Sequence, residues 1–114
     1  MTRVYKILTR KAWAEASAAG RFEGVAIDLA DGYIHLSTGE QLHETARRHF
    51  QSQPDLLVVA FEAEAFGEAL RWEPSRGGQL FPHLYGALDC ALVEAVTPVP
   101  LGPDGVPQLG ELPA

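Results

Sequence analysis

The sequence predicts a small α+β domain in which helices pack on a mainly antiparallel sheet. Three observations predict it. A chain of 114 residues has the usual size of one domain. Its composition, 46% hydrophobic and 21% charged, is that of an ordinary globular protein able to bury a core. Strand-like segments stand first, in the middle and last, with two helical segments near the start.

The first strand is "RVYKILT", which alternates and carries β-branched and aromatic residues. Thr9 can cap a helix running to about Ala19, with Ala12, Trp13 and Ala16 as its apolar face and Gly20 as its stop. "RFEGVAIDLADG" reads as an irregular connection ending in the Asp31-Gly32 turn. The strand "YIHLS" follows. Side chains alternate across a strand, so Ile34 and Leu36 share one face while Tyr33, His35 and Ser37 share the other. That second face is too polar to be plain core. The next helix places Leu42, Thr45, Ala46, His49 and Phe50 at helical spacing, and its start fits a capping box from Ser37 with Glu40 or from Thr38 with Gln41.

The apolar run Leu56 to Phe61 is what a central strand buried on both faces looks like. "ALRWE" is a short strand with Arg71 and Glu73 on one face and Leu70 and Trp72 on the other. The Gly77-Gly78 pair in "PSRGGQ" marks a loop, and the last strand lies in "CALVEAVTPV". Residues 1–100 form one domain, and 101–114 a Pro- and Gly-rich tail expected to be extended or partly disordered.

A formal net charge of −6 leaves too little positive field to hold an extended nucleic acid. The lone Cys90 cannot form an internal disulfide, and no charged-then-apolar leader opens the chain, which points to a reducing, cytoplasmic setting. No apolar run approaches the roughly 20 residues of a membrane helix. "HETAR" has Arg47 where a zinc-protease helix needs its second histidine, and His43 and His49 fall on different sides of their helix, so no metal is expected. Cys90, at the start of an apolar run, reads as a small buried hydrophobe rather than a nucleophile.

Two stretches remain. "HLS" at His35–Ser37 and "HLY" at His83–Tyr85 each set an imidazole and a hydroxyl on one face, about 7 Å apart along an extended chain. Such a pair suits ribose hydroxyls or phosphate oxygens. Arg71 and Glu73 project from a neighbouring strand, and Phe81, Pro82 and Tyr85 can wall a pocket for a flat ring.

"YKILT", Trp13, "DGYIHLSTGEQL", "LRWE" and "FPHLYGAL" together resemble the bacterial family known as domain of unknown function 952, over roughly Arg3 to Val99. The resemblance implies an ADP-ribosyltransferase-like fold, in which NAD lies in a cleft between two small antiparallel sheets. It further implies that His35 and Ser37 hold the ribose and nicotinamide groups of NAD, with Thr38 as an alternative hydroxyl. Tyr85 is then the aromatic that stacks on nicotinamide, Tyr33 its alternative, and Glu73 the glutamate that orients the acceptor.

The candidate catalytic residues are therefore Glu73 and His83, and the candidate ligand-binding residues His35, Ser37, Thr38, Arg71, Tyr85 and Tyr33. NAD is the expected substrate. A non-catalytic nucleotide- or partner-binding module is the alternative, and a two-histidine phosphoesterase using His35 and His83 as base and acid the third reading.

Overall fold

The structure, a computed structural model, describes residues 2–110. Strand β1 (Arg3–Thr9) leads into helix α1 (Arg10–Ala19), and the short strand β2 (Arg21–Phe22) into helix α2 (Ala26–Asp31). Strand β3 (Ile34–His35) precedes helix α3 (Gly39–His49). Strands β4 (Leu56–Glu62), β5 (Leu70–Pro74), β6 (Leu80–Leu84), β7 (Leu88–Asp89) and β8 (Ala95–Val99) follow. Every pairing is antiparallel: one sheet has the order β1-β4-β8, a second the order β3-β6-β5, and β2 pairs with β7. The α+β class is as expected, with the strands divided among two three-stranded sheets and one two-stranded ladder. No helix among the described residues is long and apolar enough to cross a membrane.

The central strand β4 is buried on both faces. Val59 and Phe61 join Val4 and Leu8 of β1 in one core, while Leu56, Val58 and Ala60 join Tyr5, Ile7, Leu42 and Ala46 in the other. The continuous apolar run arises because each face meets its own layer. The helix caps obey local chemistry. The Thr9 hydroxyl accepts from the Ala12 N–H at 3.0 Å, and Gly20 ends α1 at φ 84°, a left-handed conformation that glycine adopts without strain. Of the two capping boxes open to α3, the one formed is Thr38 with Gln41.

One expectation fails. The segment read as an irregular connection contains α2, a six-residue helix with Ile27 and Leu29 exposed and Asp28 buried. Its outward apolar residues and buried acid invert the usual periodicity, so hydrophobic spacing cannot reveal it. The C-terminal segment folds back as far as it is described. Leu101 bridges Pro107, the Ser52 N–H donates to Gly105 C=O at 2.6 Å, and Leu109 enters the second core. Residues 111–114 of the expected tail lie outside the described residues.

The split between the sheets positions the site. They meet where the Tyr5 N–H donates to Ser37 C=O at 2.8 Å and the Ser37 N–H to Tyr5 C=O at 3.0 Å. Beyond this bridge β1 and the β3-β6-β5 sheet diverge.

Candidate functional site

A cavity of about 640 Å³ lies beside that divergence, lined by Lys6 and Ile7 of β1, Leu42 and Thr45 of α3, and His35 and His83; Tyr33, Arg71, Glu73 and Tyr85 lie outside its lining and adjoin it through the two histidines. Strand alternation decides which side chains line the sheet. Across the register His35 faces His83, Arg71 faces His83 and Glu73 faces Phe81, so these side chains share one face. Tyr33 and Tyr85 continue it at alternate positions.

The rings gather into one cluster. Tyr33 lies 4.1 Å from His83, 4.7 Å from His35 and 5.3 Å from Tyr85 between ring centroids, and His35 and His83 are 5.6 Å apart. The Arg71 guanidinium stands 4.7 Å over the Tyr85 ring, a cation–π arrangement.

Glu73 sits beside the cluster. The Tyr85 hydroxyl donates to Glu73 Oε1 at 2.7 Å and His83 Nδ1 to the same oxygen at 2.8 Å. The Tyr85 bond, then the His83 bond, hold the Glu73 carboxyl below its ordinary range against the opposing effect of burial, and the Arg71 charge adds to them. The same bond raises the Tyr85 phenol, since ionising it would remove the donor. Burial, then the Asp31 and Glu73 charges, raise Tyr33.

The other end is built around Asp28, whose side chain is 1% exposed. It accepts from the Val25 N–H at 2.9 Å, the His35 N–H at 3.0 Å and His35 Nδ1 at 2.7 Å. Lys6 Nζ stands 3.1 Å from Asp28 Oδ2 and donates to His35 C=O at 3.0 Å. Burial alone would raise the Asp28 carboxyl; Lys6 and the three hydrogen bonds overcome it and hold the group below its ordinary value. An ionised carboxylate only accepts, so His35 Nδ1 carries a proton. Burial pulls Lys6 down from its ordinary value despite the Asp28 charge.

Six of the expected residues thus come together: Tyr33, His35, Arg71, Glu73, His83 and Tyr85. Ser37 and Thr38 do different work here. Ser37 is 4% exposed with its Oγ 3.1 Å from Thr45 Oγ1 of α3, and the Thr38 hydroxyl accepts from the Gln41 N–H as the helix cap. Lys6, Asp28 and Asp31 escaped the sequence reading. One signal for Lys6 was present: it alternates with Val4 and Leu8, hence on a buried face, where a lysine requires an anion.

The fold is shared with solved structures. The crystal structure of protein CC0527 from Caulobacter crescentus is 56% identical over 95% of each chain, with a TM-score of 0.93. The solution NMR structure of the same protein, at 56% identity over 96% of this chain and 95% of that one, gives 0.86. No curated protein matches the chain. A family model matches residues 7–96, from the Ile7 edge of the cavity through both histidine strands into β8, and the chain therefore belongs to the family described as a protein of unknown function (DUF952).

Proposed function

We propose that the cleft, together with the ring cluster that adjoins it at His35 and His83, binds NAD or a related nucleotide, and that Glu73 in that cluster supports ADP-ribosyltransferase-like chemistry. One observation carries this reading: the rings of Tyr33, His35, His83 and Tyr85 pack together, and two of them, His83 and Tyr85, hold the Glu73 carboxylate ionised. Aromatic faces suit a nicotinamide or adenine ring, and imidazole and hydroxyl groups suit a ribose. Glu73, ionised and with both donors on Oε1, keeps Oε2 for the ligand.

Transfer from NAD breaks the bond between ribose C1′ and the nicotinamide nitrogen, and the electron pair leaves with nicotinamide. The acceptor's lone pair forms the new bond at C1′ and its proton passes to solvent. A fixed carboxylate beside the developing ribosyl cation stabilises that charge without moving a proton. Orientation supplies the rest.

A non-catalytic binding module is the second reading, favoured by the 4.1 Å contact of Tyr33 with His83, which closes the rings on one another before any ligand enters. A two-histidine phosphoesterase ranks third, because the second stretch carries Tyr85 where a serine or threonine is expected and His35 Nε2 already meets Asp31 Oδ2.

Thermal-shift titrations with NAD, ADP-ribose and nicotinamide, with His35→Ala as control, test binding. A saturable rise in melting temperature for wild type alone is expected, by mass action on the native state. Nicotinamide release from NAD that disappears in Glu73→Gln marks the enzyme, and binding without release marks the module. No shift with any of the three sinks the nucleotide reading.

A further inference from the structure

On the exposed side of the His35 ring, Nε2 faces Asp31 Oδ2 at 2.9 Å, and the Asp31 side chain is 44% exposed. Asp31 is the last residue of α2, before Gly32 at φ 86°. The rear of the ring is fixed, because Asp28 holds both Nδ1 and the His35 backbone N–H. Only the partner of Nε2 is free to change. The charged and titratable groups around the ring are Asp28 and Asp31 of α2, Lys6 of β1, Glu73 of β5, His83 of β6 and Tyr33. Lys6 is committed to Asp28 and the His35 carbonyl, and the carboxylate in contact with Nε2 is that of Asp31.

We propose that Asp31 is a specificity-determining residue. With His35 Nε2 it forms a donor–acceptor couple that takes a neutral hydroxyl, which accepts from Nε2–H and donates to the Asp31 carboxylate. An anionic oxygen can accept from Nε2–H only by approaching a like charge, which costs binding strength. The couple thus admits a polyol edge such as a ribose diol and turns phosphate away from His35. The hydroxyl half rests on the nucleotide reading above, whereas the exclusion of anions does not.

The test uses inorganic phosphate, titrated into the whole chain labelled with ¹⁵N-histidine while the His35 ring resonances are followed. Asp31→Ala removes the carboxylate. Asp31→Asn keeps an acceptor oxygen and removes the charge, and the exposure of the side chain spares the fold in both. Both variants are expected to respond to phosphate at least about tenfold more tightly than wild type, the scale of a like-charge contact removed. An equal response in wild type and variants, no response in either variant, or a wild-type response in Asp31→Asn alone overturns the charge filter. Calorimetry with ADP-ribose on the same proteins reads the nucleotide proposal separately. If ADP-ribose binds none of them while phosphate still distinguishes them, the nucleotide reading falls and the role of Asp31 stands.

Discussion

Lys6 and Asp28 form an ion pair of 3.1 Å that ties β1 to α2 inside the protein, the two side chains being 7% and 1% exposed. The pair belongs to the site as well as to the core, because the same carboxylate fixes the His35 ring. Removing one partner strands a buried charge, so Lys6→Met and Asp28→Asn should each destabilise by about 3–5 kcal/mol. The double variant Lys6→Met with Asp28→Asn should lose less than the sum of the two single changes, since the ion pair is removed from both sides. Urea unfolding measures all of them, and single-variant costs under about 1 kcal/mol would show that the pair is not isolated from water.

The same carboxylate makes an acid-labile contribution. Asp28 titrates below its ordinary 3.8 in the folded chain. A carboxyl with a depressed folded value adds stability that is fully present above the unfolded value and is lost as the pH falls through the folded one. The Asp28 share should therefore be intact at pH 5 and above and vanish only in stronger acid. Melting curves from pH 6 to pH 2, for wild type and Asp28→Asn, should converge at the acid end. A gap between them that stays constant throughout would contradict the assignment.

Tyr85 and Glu73 are coupled by one hydrogen bond, and the coupling is measurable from either side. Tyr85→Phe removes the leading cause of the low Glu73 value, so the Glu73 carboxyl should move up toward its ordinary 4.5, with the His83 bond retained. Carboxyl ¹³C titration of both proteins reads this directly. In the wild type the Tyr85 phenol should ionise above its ordinary 10.0 in an ultraviolet titration. An unmoved Glu73 in the variant would mean that the hydroxyl does not reach the carboxylate.

What the sequence revealed about this site follows from how each residue is positioned. His35, His83, Arg71, Glu73, Tyr33 and Tyr85 were legible because strand alternation sorts side chains by a local rule, and the sheet then only had to bring β3, β6 and β5 side by side. The long strands β1 and β4, and the caps at Thr9 and Thr38, were legible for the same reason. The Asp28 network was not. Its partners come from β1, α2 and β3, and a buried acid in a six-residue helix with outward Ile27 and Leu29 has no periodic signature. The ordered path of residues 101–110 was hidden likewise, since it depends on long-range bonds from Ser52 and on the burial of Leu109 rather than on local propensity.

The entry to α2 supplies the last prediction. Gly24 and Gly32 both have positive φ, 119° and 86°, yet they differ in what surrounds them. A Cβ at Gly32 would meet nothing within 4 Å, whereas one at Gly24 would come 2.8 Å from Asp28 Cβ, an atom too close to the backbone to swing aside. Gly32→Ala should therefore cost only the strain of a left-handed alanine, roughly 1–2 kcal/mol. Gly24→Ala should cost clearly more, because the first turn of α2 must move and carry Asp28 away from Lys6 and His35. It should also disturb the His35 ring resonances, which Gly32→Ala should leave nearer to their wild-type positions. Denaturation of the two variants, with the histidine spectra recorded alongside, decides the matter: equal costs and equal spectra would mean that α2 yields freely and does not hold Asp28 in place.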